Sequence, residues 1–243
     1  MKDIIDGQEF VRVKHVKCMF CGSTTRPVVM DVAFGMKASV ARCPQCNFEY
    51  QTPQPSVKAT EAYMNWRWQS KDKYVASPWR QLKRASDQFE LIKPYVSDGM
   101  KVLDLGAGSG AFVKVARQQG FDAVGYDRSE GARLAAKKLH DIELEATLPS
   151  GKFDIITLWD VVEHLKNPRE RLGEFKAKAA EGGRFFFETG NLDHAQGPEW
   201  GMYLFDHQSY FSPYTLDCLL GECGFVGYEV LNENGVFTAT CTT

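Results

Sequence analysis

The chain has 243 residues and a formal net charge of −2. That length allows one full α/β domain and a small appendage, and the mixed, near-neutral charge argues against a broad basic face for nucleic acid. No basic start with an apolar run opens the sequence, and no stretch approaches the ~20 apolar residues of a bilayer span, so a cytoplasmic protein without membrane insertion is expected. In that compartment its seven cysteines call for a metal or catalytic explanation before a disulfide one.

Four of them form two Cys-x-x-Cys pairs, Cys18/Cys21 and Cys43/Cys46. Two intervening residues let both thiolates of a pair reach one tetrahedral Zn²⁺, at about 2.3 Å each. Gly22 after the first pair and Pro44 inside the second suit tight knuckle turns. Between the pairs, PVVMDVAF and KASVARC read as short strands around a turn at Gly35-Met36. Four cysteines leave no open coordination position, so the predicted ion is structural and holds a piece too small to fold alone. His15 lies near enough to replace a ligand, though nothing requires it; Cys218, Cys223 and Cys241 read as core thiols. The predicted zinc ribbon spans 1–55.

A helical, aromatic-rich linker is predicted over 56–97. TPQPS is a proline-punctuated boundary, followed by Tyr63, Trp66, Trp68, Tyr74 and Trp79. From Pro78 to Lys93 the spacing of Leu82, Ala85, Phe89 and Ile92 predicts an amphipathic helix, which Pro94 ends. Lys71, Lys73, Arg80, Lys83 and Arg84 read as a solvated face. The aromatics either cover a site or glue the ribbon to the main domain, and gluing is the usual use of such residues.

The third unit, 98–243, alternates strands and helices, the pattern of a parallel sheet covered on both faces. Strand KVLDL leads into Gly106-Ala107-Gly108-Ser109-Gly110 and a helix that Ser109 would cap and Gly120 would close. DAVGYD ends at Asp127, a helix runs from about Glu130 to His140, and IELEA is the expected third strand. FDIITLW and GRFFFET follow, with helices starting at Asn167-Pro168 and Ser212-Pro213. VGYEVL and GVFTATC should pair antiparallel across an Asn-Glu-Asn-Gly turn. Chemistry is expected at the carboxyl ends of the strands, where glycines admit a cofactor and Asp127 can accept from a ribose diol.

Gly106-x-Gly108-x-x-Ala111 also fits a dinucleotide fingerprint. Three features favour a sulfonium cofactor instead. Asp104 puts a carboxylate beside the loop for a methionine amino group, the chain ends in a strand hairpin, and about 140 residues are few for a dehydrogenase with a separate substrate domain. VLDLGAGSG, GYD and FDIITLWDVVEHL together resemble the class I S-adenosylmethionine-dependent methyltransferase family, over roughly Met100 to Thr243. The layout further resembles bacterial methyltransferases with an N-terminal zinc ribbon, in which a TPxPS-like stretch and a Tyr-rich helix follow the second cysteine pair. This resemblance implies a Rossmann-like sheet and an acceptor among small molecules such as a sugar or sugar nucleotide. It also implies that Asp104, Gly106, Ala107 and Gly108 hold the methionine end, and Asp127 with Arg128 the ribose side. Ala146, Thr147 and Leu148 would border the adenine, with Trp159 and Asp160 beside the sulfonium.

A hydroxyl or carbon acceptor must also lose a proton. His207, after a loop of Gly, Pro and aromatics, is the preferred base; a structural histidine holding that loop is the alternative. The family's sugar C-methyltransferases resemble this stretch but carry a His-Glu-His-like sequence where this chain has Phe205-Asp206-His207. His164 in VEHL, beside Glu163, reads as pocket support with a secondary base role, and His194 shares the long loop. Trp200, Tyr203, Phe205, Tyr210 and Phe211 are candidates for the acceptor wall. An RNA or protein acceptor read by the ribbon is the competing reading, and a non-catalytic module is disfavoured by the intact Asp104, glycine loop and Asp127.

Overall fold

A computed structural model describes residues 2–5, 8–14, 17–18, 20–24, 27–31, 37–69, 77–194 and 204–243. His15, the turn at Gly35-Met36, Lys71, Lys73, Tyr74, Trp200 and Tyr203 lie outside the described residues. At the N-terminus, β1 (Lys2–Ile5) and β2 (Gln8–Lys14) pair antiparallel. β3 (Pro27–Asp31) and β4 (Lys37–Arg42) form the hairpin expected between the cysteine pairs, with Val28 opposite Val40. β5 (Glu49–Gln51) extends that hairpin, and β6 (Gln54–Pro55) pairs back with β2.

Ser56 opens α1 (Val57–Gln69), its hydroxyl accepting the amide of Ala59 at 3.1 Å. α2 (Pro78–Ile92) starts on a proline and buries Ala85, Phe89 and Ile92, the stripe read from the spacing. A 3-10 turn containing Pro94 ends it.

The body alternates β7 (Lys101–Leu105), α3 (Ala111–Gln118), β8 (Asp122–Tyr126), α4 (Glu130–His140), β9 (Phe153–Trp159), α5 (Pro168–Lys176) and β10 (Ala179–Gly190). β11 (Ser209–Tyr210), α6 (Pro213–Glu222), β12 (Val226–Glu233) and β13 (Val236–Thr242) complete it. The central sheet has the order β12-β13-β10-β9-β7-β8. Its β8, β7, β9 and β10 are parallel, and β13 lies antiparallel between β10 and β12. This is the expected Rossmann-like α/β sheet. Period-two alternation sorts the apolar side chains onto its faces. Leu103, Leu105, Ile156, Leu158, Phe185 and Phe187 join Leu172, Phe175, Leu216 and Leu219 of α5 and α6. Val102, Ile155 and Phe186 face the other way, onto Phe89, Ile92, Phe112 and Val113 of α2 and α3.

Two local expectations are corrected. The segment read as a third strand, IELEA, makes a single bridge, Tyr126 to Glu145, with Glu145 N donating to Gly125 O at 2.9 Å and Asp127 N to Glu145 O at 3.1 Å. Ile142 packs against Gly110 and Ala136, which keeps the chain off β8 until Glu145. Gly110, and not Ser109, caps α3: its φ of 73° turns the chain into the helix without a side-chain cap.

The cysteine-bearing piece does not sit apart from the body. β11 pairs with β5, Ser209 opposite Tyr50, so the sheet β11-β5-β4-β3 takes its edge strand from the C-terminal half. Cys18, Cys43, Phe48 and Tyr50 are buried in the same cluster as Leu103 and Phe187, and Phe48 meets Phe211 edge to face at 5.4 Å. No helix among the described residues is long and apolar enough to cross a membrane.

Candidate active site

A cleft of about 1100 Å³ opens at the carboxyl ends of β7, β8 and β9, walled by α1, α2 and the chain running from β9 into α5. Asp104, Gly106, Ala107, Gly108, Asp127, Arg128, Trp159, Asp160 and His164 all line it. The turn after β7 is anchored by the amides of Gly106 and Ala107, which both donate to Tyr126 O at 2.8 and 3.0 Å. Gly106 and Gly108 have φ of 69° and 53°, a conformation glycine adopts without penalty. A Cβ at Gly106 would come within 2.6 Å of Val161, and one at Gly108 within 2.9 Å of the Trp68 ring. The glycines are thus required by the backbone and by protein neighbours, a reason the sequence pattern does not express.

Two buried carboxylates face this loop. Asp104, 2% exposed, accepts from the Thr157 hydroxyl at 2.8 Å. Burial pushes its pKa up to about 7, against the Thr157 bond and with help from the nearby Asp127 charge. Asp127 accepts from Gly108 N at 3.0 Å and Ser129 N at 2.8 Å, one amide on each oxygen. Burial raises its pKa although both amides favour the charged form. Each oxygen keeps a second lone pair, the number a vicinal diol requires.

Residues outside the sequence reading complete the walls. Arg84, read as part of a solvated face, instead turns into the cleft and bonds Asp160 at 2.6 Å and Glu188 at 2.5 Å. Gln88 donates to the same Glu188 oxygen at 2.7 Å. The available signal was polar Gln81, Arg84 and Gln88 interleaved with an apolar stripe. Asn65 of α1 accepts from Ser129 Oγ at 3.0 Å and Gly131 N at 3.1 Å, which docks α1 on the start of α4. The linker aromatics divide between the two expected uses. Trp68 covers the glycine loop, Tyr63 packs on Phe205 at 5.3 Å, and Trp79 stays 64% exposed. The indole N–H groups of Trp68 and Trp159 are buried on this cleft without an acceptor among the described residues. With the two carboxylates, these donors fit a ligand carrying both donors and acceptors, as the sulfonium nucleoside does.

The remaining candidates fall elsewhere. Ala146 and Thr147 are exposed and Leu148 packs on the main core; none lines the cleft. His207 stands behind His164, the rings edge to face with centroids 4.7 Å apart, and does not reach the cleft wall. Burial and the adjacent His164 push His207 down to about 3, so it is neutral at pH 7. Asp206, between them in the network, is buried, with its carboxylate 3.4 Å from His164 Nδ1 and 3.5 Å from Arg67. Burial opposes its charge, but His164, Arg67 and His207 together hold it below the usual carboxylate range. His194 binds Asn191 away from the cleft, and Phe205, Tyr210 and Phe211 are buried.

The four candidate zinc ligands come together. Their Sγ atoms all lie within 4.8 Å of one another, with Cys18–Cys46 at 3.7 Å, Cys21–Cys46 at 3.9 Å and Cys21–Cys43 at 3.1 Å. Four thiolates on one Zn²⁺ stand about 3.8 Å apart, so the set fits that ion. Both knuckles are built alike. Gly22 N donates to Cys18 O and Asn47 N to Cys43 O, with φ of 75° and 56°. Asn47 takes the left-handed place that glycine fills in the first knuckle.

A ubiquinone biosynthesis O-methyltransferase from Azoarcus sp. (strain BH72) is 32% identical over 106 residues, covering 38% of this chain and 45% of that protein. The chain thus matches less than half the length of that relative. Magnesium protoporphyrin IX methyltransferase from Synechocystis PCC 6803, solved with bound S-adenosylmethionine, superposes with a TM-score of 0.52 at 16% identity, over 74% of this chain and 90% of that one. An S-adenosylmethionine-dependent methyltransferase from Archaeoglobus fulgidus gives a TM-score of 0.51 at 16% identity, over 67% and 94%; at such identities both likenesses speak to fold alone. The family described as "Methyltransferase domain" matches residues 76–230. That match covers more than half of the chain, which therefore belongs to the methyltransferase-domain family.

Proposed function

We propose that the chain methylates a small-molecule acceptor, of the sugar or sugar-nucleotide class, inside the cleft between α1, α2 and the strand ends. One observation carries the reading: α1 and α2 wall the space over Asp104, Asp127 and Asp160, which suits an enclosed acceptor better than an extended polymer. Two of the three compared proteins are also named for small molecules, ubiquinone and magnesium protoporphyrin IX. When bound, S-adenosylmethionine supplies an electrophilic methyl group for in-line transfer. In this reading Asp127 takes the ribose hydroxyls, Asp104 the methionine ammonium, and Trp159 and Asp160 border the reacting end. Cys18, Cys21, Cys43 and Cys46 hold a structural zinc in the 1–55 ribbon.

Labelled methyl from S-adenosylmethionine should enter the small-molecule fraction of a cell extract and resist nuclease and protease. Label released by either enzyme would overturn the reading and make the ribbon a reader of RNA or protein.

Asp104 gives this reading a pH signature. Its free-state pKa near 7 means that an ammonium must displace a proton to pair with it at lower pH. Cofactor affinity is therefore expected to be flat above pH 7 and to fall towards tenfold per unit below it. Asp104→Asn should bind more weakly with no such slope. A wild-type slope that persists in Asp104→Asn, measured by calorimetry, would remove Asp104 from the ammonium site.

A further inference from the structure

Helix α1 lies outside residues 76–230, the span matched by the family, yet the matched domain is shaped to it. A Cβ at Gly108 would stand 2.9 Å from Trp68 Cζ2. One at Gly131 would stand 3.1 Å from Asn65 Cα and 3.2 Å from Trp68 Cβ. Gly131 falls inside α4, where almost any other residue is the better helix former. Two glycines on separate elements therefore make room for the same stretch of α1. Asn65 fixes that stretch in place, accepting from Ser129 Oγ at 3.0 Å and from Gly131 N at 3.1 Å.

The fit brings a hydrogen-bond donor to the loop. Trp68 lines the cleft, and its Nε1 is buried with no hydrogen-bond partner among the described residues. That nitrogen is two bonds from Cζ2, the atom that covers Gly108. Buried N–H groups are paired in the great majority of cases, and an indole nitrogen can only donate. The partner it calls for is an acceptor on a ligand at the glycine loop. With Asp104 taking the ammonium and Asp127 the ribose, the methionine carboxylate is the strong acceptor still to be placed. Arg84 is bound by Asp160 and Glu188. The other buried indole, Trp159, packs on Phe112 at 5.2 Å at the end of β9, beside Asp160.

We propose that Trp68 is a cofactor-binding residue, its indole N–H donating to the methionine carboxylate while its ring covers Gly108. A neutral donor at this place holds the carboxylate without drawing Asp104 away from the ammonium. It also makes α1 a working part of the cofactor site, fixed to α4 by Asn65 before any ligand arrives. Such pre-organisation spares the ligand the cost of ordering a wall of its own site. The assignment rests on the cofactor placement given above and is independent of the acceptor.

Calorimetry on the full chain with S-adenosylmethionine and with its decarboxylated form isolates the contact. Both ligands carry the sulfonium, the ribose and the ammonium, and only the first carries the carboxylate. Trp68→Phe keeps an aromatic ring near Gly108 and removes the N–H. It should weaken S-adenosylmethionine roughly ten- to a hundredfold, the range of a hydrogen bond to a charged group, and the decarboxylated form less than about threefold. Equal losses for the two ligands would make Trp68 a packing residue of the loop and overturn the carboxylate contact. Unchanged affinity for both would remove Trp68 from the site. A carboxylate-dependent loss in Trp159→Phe and not in Trp68→Phe would move the contact to β9 and overturn the assignment equally. Should Trp68→Phe fail to fold, 3-benzothienylalanine at position 68, with sulfur in place of the N–H on the same bicyclic outline, is read in the same way. Binding of neither ligand by the wild-type chain would overturn the cofactor placement and this proposal with it, an outcome distinct from any loss confined to the variants.

Discussion

Asp127→Ala is expected to weaken S-adenosylmethionine binding by a hundredfold or more. A hydrogen bond to a charged group contributes about 1.5–3 kcal/mol. Two ribose hydroxyls on one carboxylate therefore carry about 3–6 kcal/mol, or roughly 10²–10⁴ in affinity. The structure adds a second loss. The Asp127 carboxylate also holds the amides of Gly108 and Ser129, so its removal loosens the glycine turn from the start of α4. Asp127→Asn separates the two effects. It keeps one acceptor oxygen, but its amide nitrogen must face either a backbone N–H or a ribose hydroxyl. Calorimetric affinities should therefore order wild type, Asn, then Ala, with the melting temperature falling less steeply than the affinity. Equal affinity in Asp127→Ala would make Asp127 a brace for the loop and nothing more.

The sequence is most legible where the physics is local. The apolar runs KVLDL, FDIITLW and GRFFFET can be buried on both faces only in a helix-covered sheet, and β7, β9 and β10 follow them. The stripe Ala85, Phe89, Ile92 likewise announces α2. Asp104 and Asp127 are legible because each lies within one residue of a strand end, beside glycines. What escapes notice is set by tertiary neighbours. IELEA has strand alternation, yet Ile142 is claimed by Gly110 and Ala136 before the segment can pair. Arg84 looks like one cation in a charged run, and only the approach of β9 and β10 supplies Asp160 and Glu188. Trp68 and Asn65 belong to a helix with no clear amphipathic signal, since their partners are a glycine loop and the start of α4. The two-residue β11 is too short to leave any pattern, although it ties the cysteine-bearing strands to the body.

That tie shapes the last expectation. If zinc holds the ribbon, Cys43→Ser should lose the metal and lower the melting temperature of the whole chain by about 8–16 °C. The estimate is conservative. Structural zinc contributes about 10–16 kcal/mol in isolated fingers; even about 4 kcal/mol surviving here would shift a chain of this size by that much. A ribbon merely tethered to the body would unfold alone and leave the main transition in place. Here Phe48, five residues after Cys43, packs on Phe211, and Tyr50 pairs with Ser209. Loss of the knuckle therefore propagates into the segment that carries Asp206 and His207. Asp104 and Asp127 sit on β7 and just past β8, away from that segment, so cofactor affinity should change less than the rate of methyl transfer. Metal analysis, calorimetry and the two activities read these effects separately. A zinc-free Cys43→Ser chain that melts like the wild type would show that the ion does not hold the fold. Parallel loss of affinity and rate would instead place the ribbon's support at the cofactor end of the cleft.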